Sequence, residues 1–240
     1  MANTRATPPL DATRPRPFVV DPQVMGQIRP MQNRDAEAVA RLHIAAMGQS
    51  LWARLGKRFL VELYRGLVDS PHFLGFVYVE PDDEGITQVR GFIAGTTDTQ
   101  RMLSEVFSKR WMVLGLAGIP GILRSPLLAR HLVTTGGYSQ ASGGDGILGE
   151  SLFCSFEPEL RGKRISGHIN KVLFDELLAR GHSQVKITTE QDNEGANRQL
   201  GSWGFEAQGT FTFYGKDMVR YVLDLEASDR VEATSRHPAV

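Results

Sequence analysis

Apolar residues in this chain recur at two periods, and the alternation between them predicts a mixed order of strands and helices. Residues 27–30 read as a short strand. Asn33 is then a plausible N-cap, and Val39, Leu42 and Ala46 follow at helical spacing. Leu55, Phe59, Leu63 and Leu67 recur every four residues and predict a second helix over 54–69, which Ser70-Pro71 stops. Residues 75–80 and 88–95, separated by a turn through Pro81 and Gly85, predict a β-hairpin. Met102, Leu103, Val106 and Phe107 return to helical spacing, and the uncharged stretch 111–123 extends it into an inserted helical hairpin over 101–135. Five glycines between 136 and 146 predict a loop. A strand over 149–156 comes next, then a helix with the stripe Ile165, Ile169, Val172, Leu173 and Leu177, stopped at Gly181. A strand over 185–189, a helix from Asn193 to Leu200 and strands over 210–214 and 218–225 complete the pattern.

Composition narrows what this pattern can do. The 240 residues hold 27 basic and 27 acidic side chains, so bulk electrostatics favours neither nucleic acid nor a membrane surface. Both ends are polar. Five prolines lie in residues 1–26, and 227–240 closes on His237-Pro238, so a single domain over 27–226 between two disordered tails is expected. There is no signal-peptide core, and Cys154 is the one cysteine, which excludes an intramolecular disulfide and fits the cytoplasm. As a helix the uncharged stretch would span about 20 Å, short of a hydrocarbon core of roughly 30 Å. No transmembrane span is expected, and the segment should pack on the domain or on a partner subunit, as in a homodimer. His43, His72, His131, His168 and His182 show no paired spacing that would suggest a metal.

The chemistry concentrates in one place. Arg161-Gly162-Lys163-Arg164-Ile165-Ser166-Gly167 joins a strand to a helix. The first turn of a helix presents unpaired N–H groups and partial positive charge, and three cationic side chains within four residues make the loop an anion cradle suited to a pyrophosphate. It is not a kinase-type P-loop, because Gly162-Lys163 is followed by Arg164 with no earlier glycine at the required spacing. It is not a dinucleotide fingerprint either, because Gly162 and Gly167 do not make Gly-x-Gly-x-x-Gly. Cys154 reads as a buried core residue rather than a nucleophile.

The strand, loop and helix, with Pro158-Glu159-Leu160-Arg161-Gly162-Lys163 leading in, resemble the GNAT (general-control-type N-acetyltransferase) superfamily, whose phosphate loop runs Gln/Arg-x-x-Gly-x-Gly/Ala. Arg164 stands at the first motif glycine and Ser166 at the Gly/Ala position. A second stretch, Asn193-Glu194-Gly195-Ala196-Asn197-Arg198-Gln199-Leu200 before Trp203-Gly204-Phe205, is similar to the superfamily's Asn-x-x-Ala-Asn-Arg-x-Tyr-x-x-x-Gly-Phe, with Leu200 at the tyrosine position. The resemblance implies an α/β (α+β) fold with a mixed, mostly antiparallel central sheet flanked by helices. The helical insertion at about 101–146, between the third and fourth strands, is unlike the family's minimal fold. It implies acetyl-CoA as acyl donor, without a metal, and a small primary amine as acceptor, joined by direct attack in a ternary complex. Arg161, Gly162, Lys163, Arg164, Ile165, Ser166 and Gly167 would bind the coenzyme's diphosphate, and the backbone of Phe153, Cys154, Ser155 and Phe156 its pantetheine arm. Asn193 and Asn197 would assist or cap their helix. Glu150 is the candidate general base, and Tyr214 the candidate acid for the departing thiolate. Two alternatives are a coenzyme-binding sensor without chemistry and an acyltransferase for a lipid-linked or hydrophobic acceptor.

Overall fold

A computed structural model describes residues 18–125, 146–213 and 215–228. Its strands are β1 (Ile28–Pro30), β2 (Phe73–Pro81), β3 (Thr87–Thr96), β4 (Glu150–Phe156), β5 (Gln184–Glu190), β6 (Glu206–Phe213) and β7 (Lys216–Asp224). They form one seven-stranded sheet in the order β1-β2-β3-β4-β5-β7-β6. Every neighbouring pair is antiparallel except β4 with β5. The helices are α1 (Pro22–Gly26), α2 (Ala36–Met47), α3 (Leu51–Arg54), α4 (Lys57–Val68), α5 (Thr99–Arg124), α6 (Ile165–Ala179) and α7 (Glu194–Trp203).

Strand alternation divides the core in two. Along β2, Leu74, Phe76 and Tyr78 point to one face and Val77 to the other, and on β3 Ile93 points oppositely to Phe92 and Ala94. The Val77 and Phe92 face is covered by α2, α4 and α5 through Val39, Leu42, Leu60, Tyr64, Met102 and Val106. The Ile93 face is covered by α6 and α7 through Ile169, Leu173, Phe174, Leu177 and Trp203. Each fully buried aliphatic side chain contributes about 1.5–3 kcal/mol, so the two layers together hold the sheet.

Two expectations change. The N-terminal tail does not extend to residue 26. The Phe18 ring packs edge-on to His168 and against Trp203, at 4.9 and 5.4 Å between centroids. A Cβ on Gly167 would come within 2.5 Å of that ring, so only glycine lets it approach. The Asp21 amide donates to His168 Nε2 at 2.8 Å, and the Asp21 carboxylate caps α1. In the expected helical hairpin, α5 (26 residues) is two helical pieces joined at a kink, where Arg110 has φ -121° and ψ 18°. The rest of the hairpin and the glycine loop lie outside the described residues, as do residues 1–17 and 229–240.

Candidate functional site

β4 leads into the cradle, and each of its ends is fixed differently. Glu150 opens the strand at 1 % exposure. Its Oε2 accepts a hydrogen bond from Thr99 Oγ1 at 2.5 Å, in the first turn of α5, and its register partner on β5 is the buried Lys186. At the far end the Arg90 guanidinium donates to Glu157 at 2.7 Å and to Glu80 at 2.9 Å, and Arg41 donates to Glu157 at 3.0 Å. Against the desolvation of its site, these two arginines hold the Glu157 carboxyl below its usual range.

Between those ends the sheet opens. β4 and β5 share only the pairs Glu150 with Lys186 and Ser151 with Ile187. On the other edge Ala94 pairs with Phe153 and Gly95 with Ser151, so Leu152 is an extra residue that bulges β4 as the strands part. The Glu157 amide donates to Arg90 on β3. Alternation then turns the amides of Ser155 and Phe153 toward β3 and those of Cys154 and Phe156 into the opening. Ser155 Oγ reaches back to the Leu42 carbonyl on α2 at 3.1 Å. Across the gap on β5, Thr188 Oγ1 is buried without a hydrogen-bond partner among the described residues.

Cys154 departs from expectation, because its side chain is exposed rather than packed in the core. Its register partner Ile93 lies in the α6 layer, but the missing β5 neighbour leaves the cysteine at the edge of the gap. Burial of the region around it raises the thiol pKa, and the exposure of the side chain to solvent limits that shift. Nothing near it acts to lower the pKa, so it is a poor nucleophile at neutral pH.

The cradle follows. Pro158–Leu160 form a 3-10 turn, Gly162 has φ 80°, and Arg164, the N-cap of α6, has φ 59°. Arg164 is the single non-glycine residue at positive φ among the described residues. It takes the left-handed backbone that a glycine adopts freely, at a cost of about 1 kcal/mol or more. The amides of Gly162, Arg164, Ile165 and Ser166 donate to no backbone carbonyl among the described residues, and the side chains of Arg161, Lys163 and Arg164 are exposed around them. His168 steadies the turn, since its Nδ1 lies 3.0 Å from the Arg164 carbonyl while Nε2 accepts from Asp21. The ring is therefore the Nδ1–H tautomer.

No family model matches the sequence, and neither does any curated protein. Solved structures do match. A protein assigned to the GNAT family of acetyltransferases from Desulfovibrio desulfuricans superposes at a TM-score of 0.53 and 13 % identity, covering 82 % of this chain and 97 % of that one. This chain has the GNAT fold. The ribosomal-protein-S5-alanine acetyltransferase from Vibrio fischeri aligns at a TM-score of 0.50 and 15 % identity, over 82 % of this chain and 91 % of its own. A chain of the NatC complex bound to Gag peptide and CoA gives 0.50 and 13 %, over 82 and 96 %.

Within the GNAT fold the remaining candidates separate. Asn193 caps α7, its Oδ1 accepting from the Ala196 amide at 3.2 Å. Asn197 donates to the Gln191 carbonyl at 3.0 Å and so ties α7 to the end of β5, while its own Oδ1 is buried without a partner among the described residues. Leu200 is a buried core residue beside Trp203 and Phe205. Tyr214 lies outside the described residues. Thr99, Lys186 and Thr188 were not singled out from sequence. Only the register between distant strands and the start of α5 brings them to Glu150 and the gap.

Proposed function

We propose that this chain is an acyl-CoA-dependent N-acetyltransferase acting on a primary amine of a small molecule. One observation carries the reading: the sheet opens between β4 and β5 beside a helix N-terminus whose free amides are ringed by Arg161, Lys163 and Arg164. Acetyl-CoA supplies the activated thioester. The residues present fit it. The cradle offers amides and cations to a diphosphate, the Cys154 and Phe156 amides offer donors along the opening, and the orphaned hydroxyl of Thr188 lies on the facing strand.

In the reaction the amine nitrogen attacks the thioester carbonyl, a C–N bond forms, the C–S bond breaks and coenzyme A departs as thiolate. A lysine-like amine must first lose a proton, at a cost of between about 4 and 5 kcal/mol at neutral pH. Glu150, set at the closed end of the opening and oriented by Thr99, is the proposed acceptor of that proton. Tyr214 is the proposed donor to the thiolate, since Leu200 has no proton to give. No hydrogen bond among the described residues links Cys154 to a base, which favours direct transfer over an acyl-enzyme.

Calorimetry with acetyl-CoA and with its dephospho form tests the cradle, and thiol release with a panel of amines tests the chemistry. Binding without thiol release from any amine would make the chain a sensor, and absence of binding would remove the proposal. Glu150→Gln is expected to lower turnover about 100-fold, most at low pH, with coenzyme affinity nearly unchanged. Unaltered turnover would take Glu150 out of the mechanism.

A further inference from the structure

α5 has an outer face that the domain does not use. After the irregularity at Arg110, Met112, Leu116, Ile119 and Leu123 recur at helical spacing and fall within about 60° of one another around the axis. All are exposed, Leu116 by 70 % and Leu123 by 76 %, and Trp111 stands beside them at 66 %. The opposite face carries Leu114, Gly118 and Gly121, which are buried. Gly121 lies so close to α3 and α4 that a Cβ would meet the Leu55 backbone at 2.5 Å. By length and composition α5 could cross a membrane, yet one side is held against the domain and the other is covered by no described residue. A surface helix ordinarily shows the reverse, with polar residues opposite the core.

Charge indicates what covers it. No acidic residue occurs between 106 and 124, while Lys109 and Arg124 are exposed at the two ends of the stripe. Arg54 joins them, donating to Ser125 Oγ at 3.2 Å, and Arg58 is exposed one turn on. Of the carboxylates about this part of α5, Glu62 and Asp69 are bonded to Arg110, Glu62 also to Arg65, and Glu105, one turn before Lys109, accepts from Ser70 Oγ. A second copy fits poorly. Packed antiparallel, Lys109 of one helix meets Arg124 of the other. Packed parallel, each cation meets itself, and no acid along the face relieves either arrangement. A bilayer with anionic headgroups meets both demands, taking the apolar stripe at the acyl boundary, the cations at the phosphates and the indole between them.

We propose that α5 lies on anionic lipid through Trp111, Met112, Leu116, Ile119 and Leu123, held at its ends by Lys109 and Arg124. Thr99 and its bond to Glu150 lie on the part of α5 before the Arg110 kink, and the docked face lies on the part after it. The proposal is independent of the proposed chemistry and is read by binding alone.

The test is co-sedimentation of the full chain with phosphatidylcholine vesicles with and without phosphatidylglycerol, alongside tryptophan emission and sedimentation velocity. The expected result is about tenfold stronger partition onto the anionic vesicles, falling with salt, with a blue shift in emission that Trp111→Phe abolishes. Leu116→Ser with Leu123→Ser should weaken partition about tenfold or more, and Lys109→Gln with Arg124→Gln should reduce the preference for anionic lipid severalfold, all without a change in melting temperature. Three results would each overturn the proposal. One is no partition by the unaltered chain. Another is a dimer that the serine variants dissociate, which would make a second copy the occupant. The third is a Trp111 contribution, obtained by subtracting the emission of Trp111→Phe, that is already blue without lipid, which would mean that the chain covers the stripe itself.

Discussion

α6 and α5 lie on opposite faces of one sheet and break opposite rules. α6 buries polar side chains: His168, Asn170 and Lys171 are all in its sheltered surface. Each finds a partner within a turn or close by, Asn170 donating to the Ser166 carbonyl at 2.7 Å, Lys171 to Asp175, and His168 bridging the Arg164 carbonyl and Asp21. α5 exposes apolar side chains and gives them no partner among the described residues. Satisfied buried polarity costs little and fixes position, which suits a helix whose first turn must present amides accurately. Bare apolar surface contributes nothing to the free chain, which suits a face kept for something else.

The sharpest way to break this comparison is to truncate a leucine on each helix. Leu173→Ala, in the fully buried stripe of α6, should lower unfolding free energy by about 2–5 kcal/mol, whereas Leu116→Ala should stay within about 0.5 kcal/mol, both by urea melts. Equal losses would mean that the α5 face is covered. Next in size, Asp175→Ala strands the buried Lys171 ammonium and should cost about 1–3 kcal/mol, while Lys171→Met should be close to neutral. Arg164→Gly relieves the left-handed strain at the start of α6 and should stabilise the chain by up to about 1 kcal/mol, read as a raised melting temperature. The smallest effect concerns pH. Desolvation raises Asp175, only partly offset by Lys171, so its contribution falls as pH rises through its folded value. Asp35, beneath α2, is desolvated too, but the paired bonds from Arg29 at 2.7 and 2.8 Å hold it below its usual range. Its contribution is present above the ordinary carboxylate pKa and is lost as pH falls through the lowered value. Asp35→Asn should therefore flatten the acid limb of the stability curve and Asp175→Asn steepen it.

Much of this layout was legible in the residues. The stripe of Ile165, Ile169, Leu173 and Leu177 between a basic glycine loop and Gly181 is a local pattern, and it gave α6 and the cradle directly. The alternation around Val77 and Phe92 gave the hairpin. Three things were not local. Arg164 in a glycine's conformation cannot be read from an arginine, because the surrounding turn imposes it. The exposure of Cys154 depends on β5 diverging from β4, which neither strand's own pattern records. The kink at Arg110, which divides α5 into two helical pieces, has no marker such as proline or glycine at that position in the sequence. The order of residues 18–26 rests on Phe18 meeting Gly167, a contact between positions far apart in sequence.

The gap between β4 and β5 has a mechanical consequence. Within the sheet only two residue pairs join β1 to β4 with β5 to β7, and the shared core beneath α6 does the rest of the joining. A guest that hydrogen-bonds along both free edges would stitch the two parts of the sheet together, so its affinity should also appear as resistance to heat that grows with its concentration.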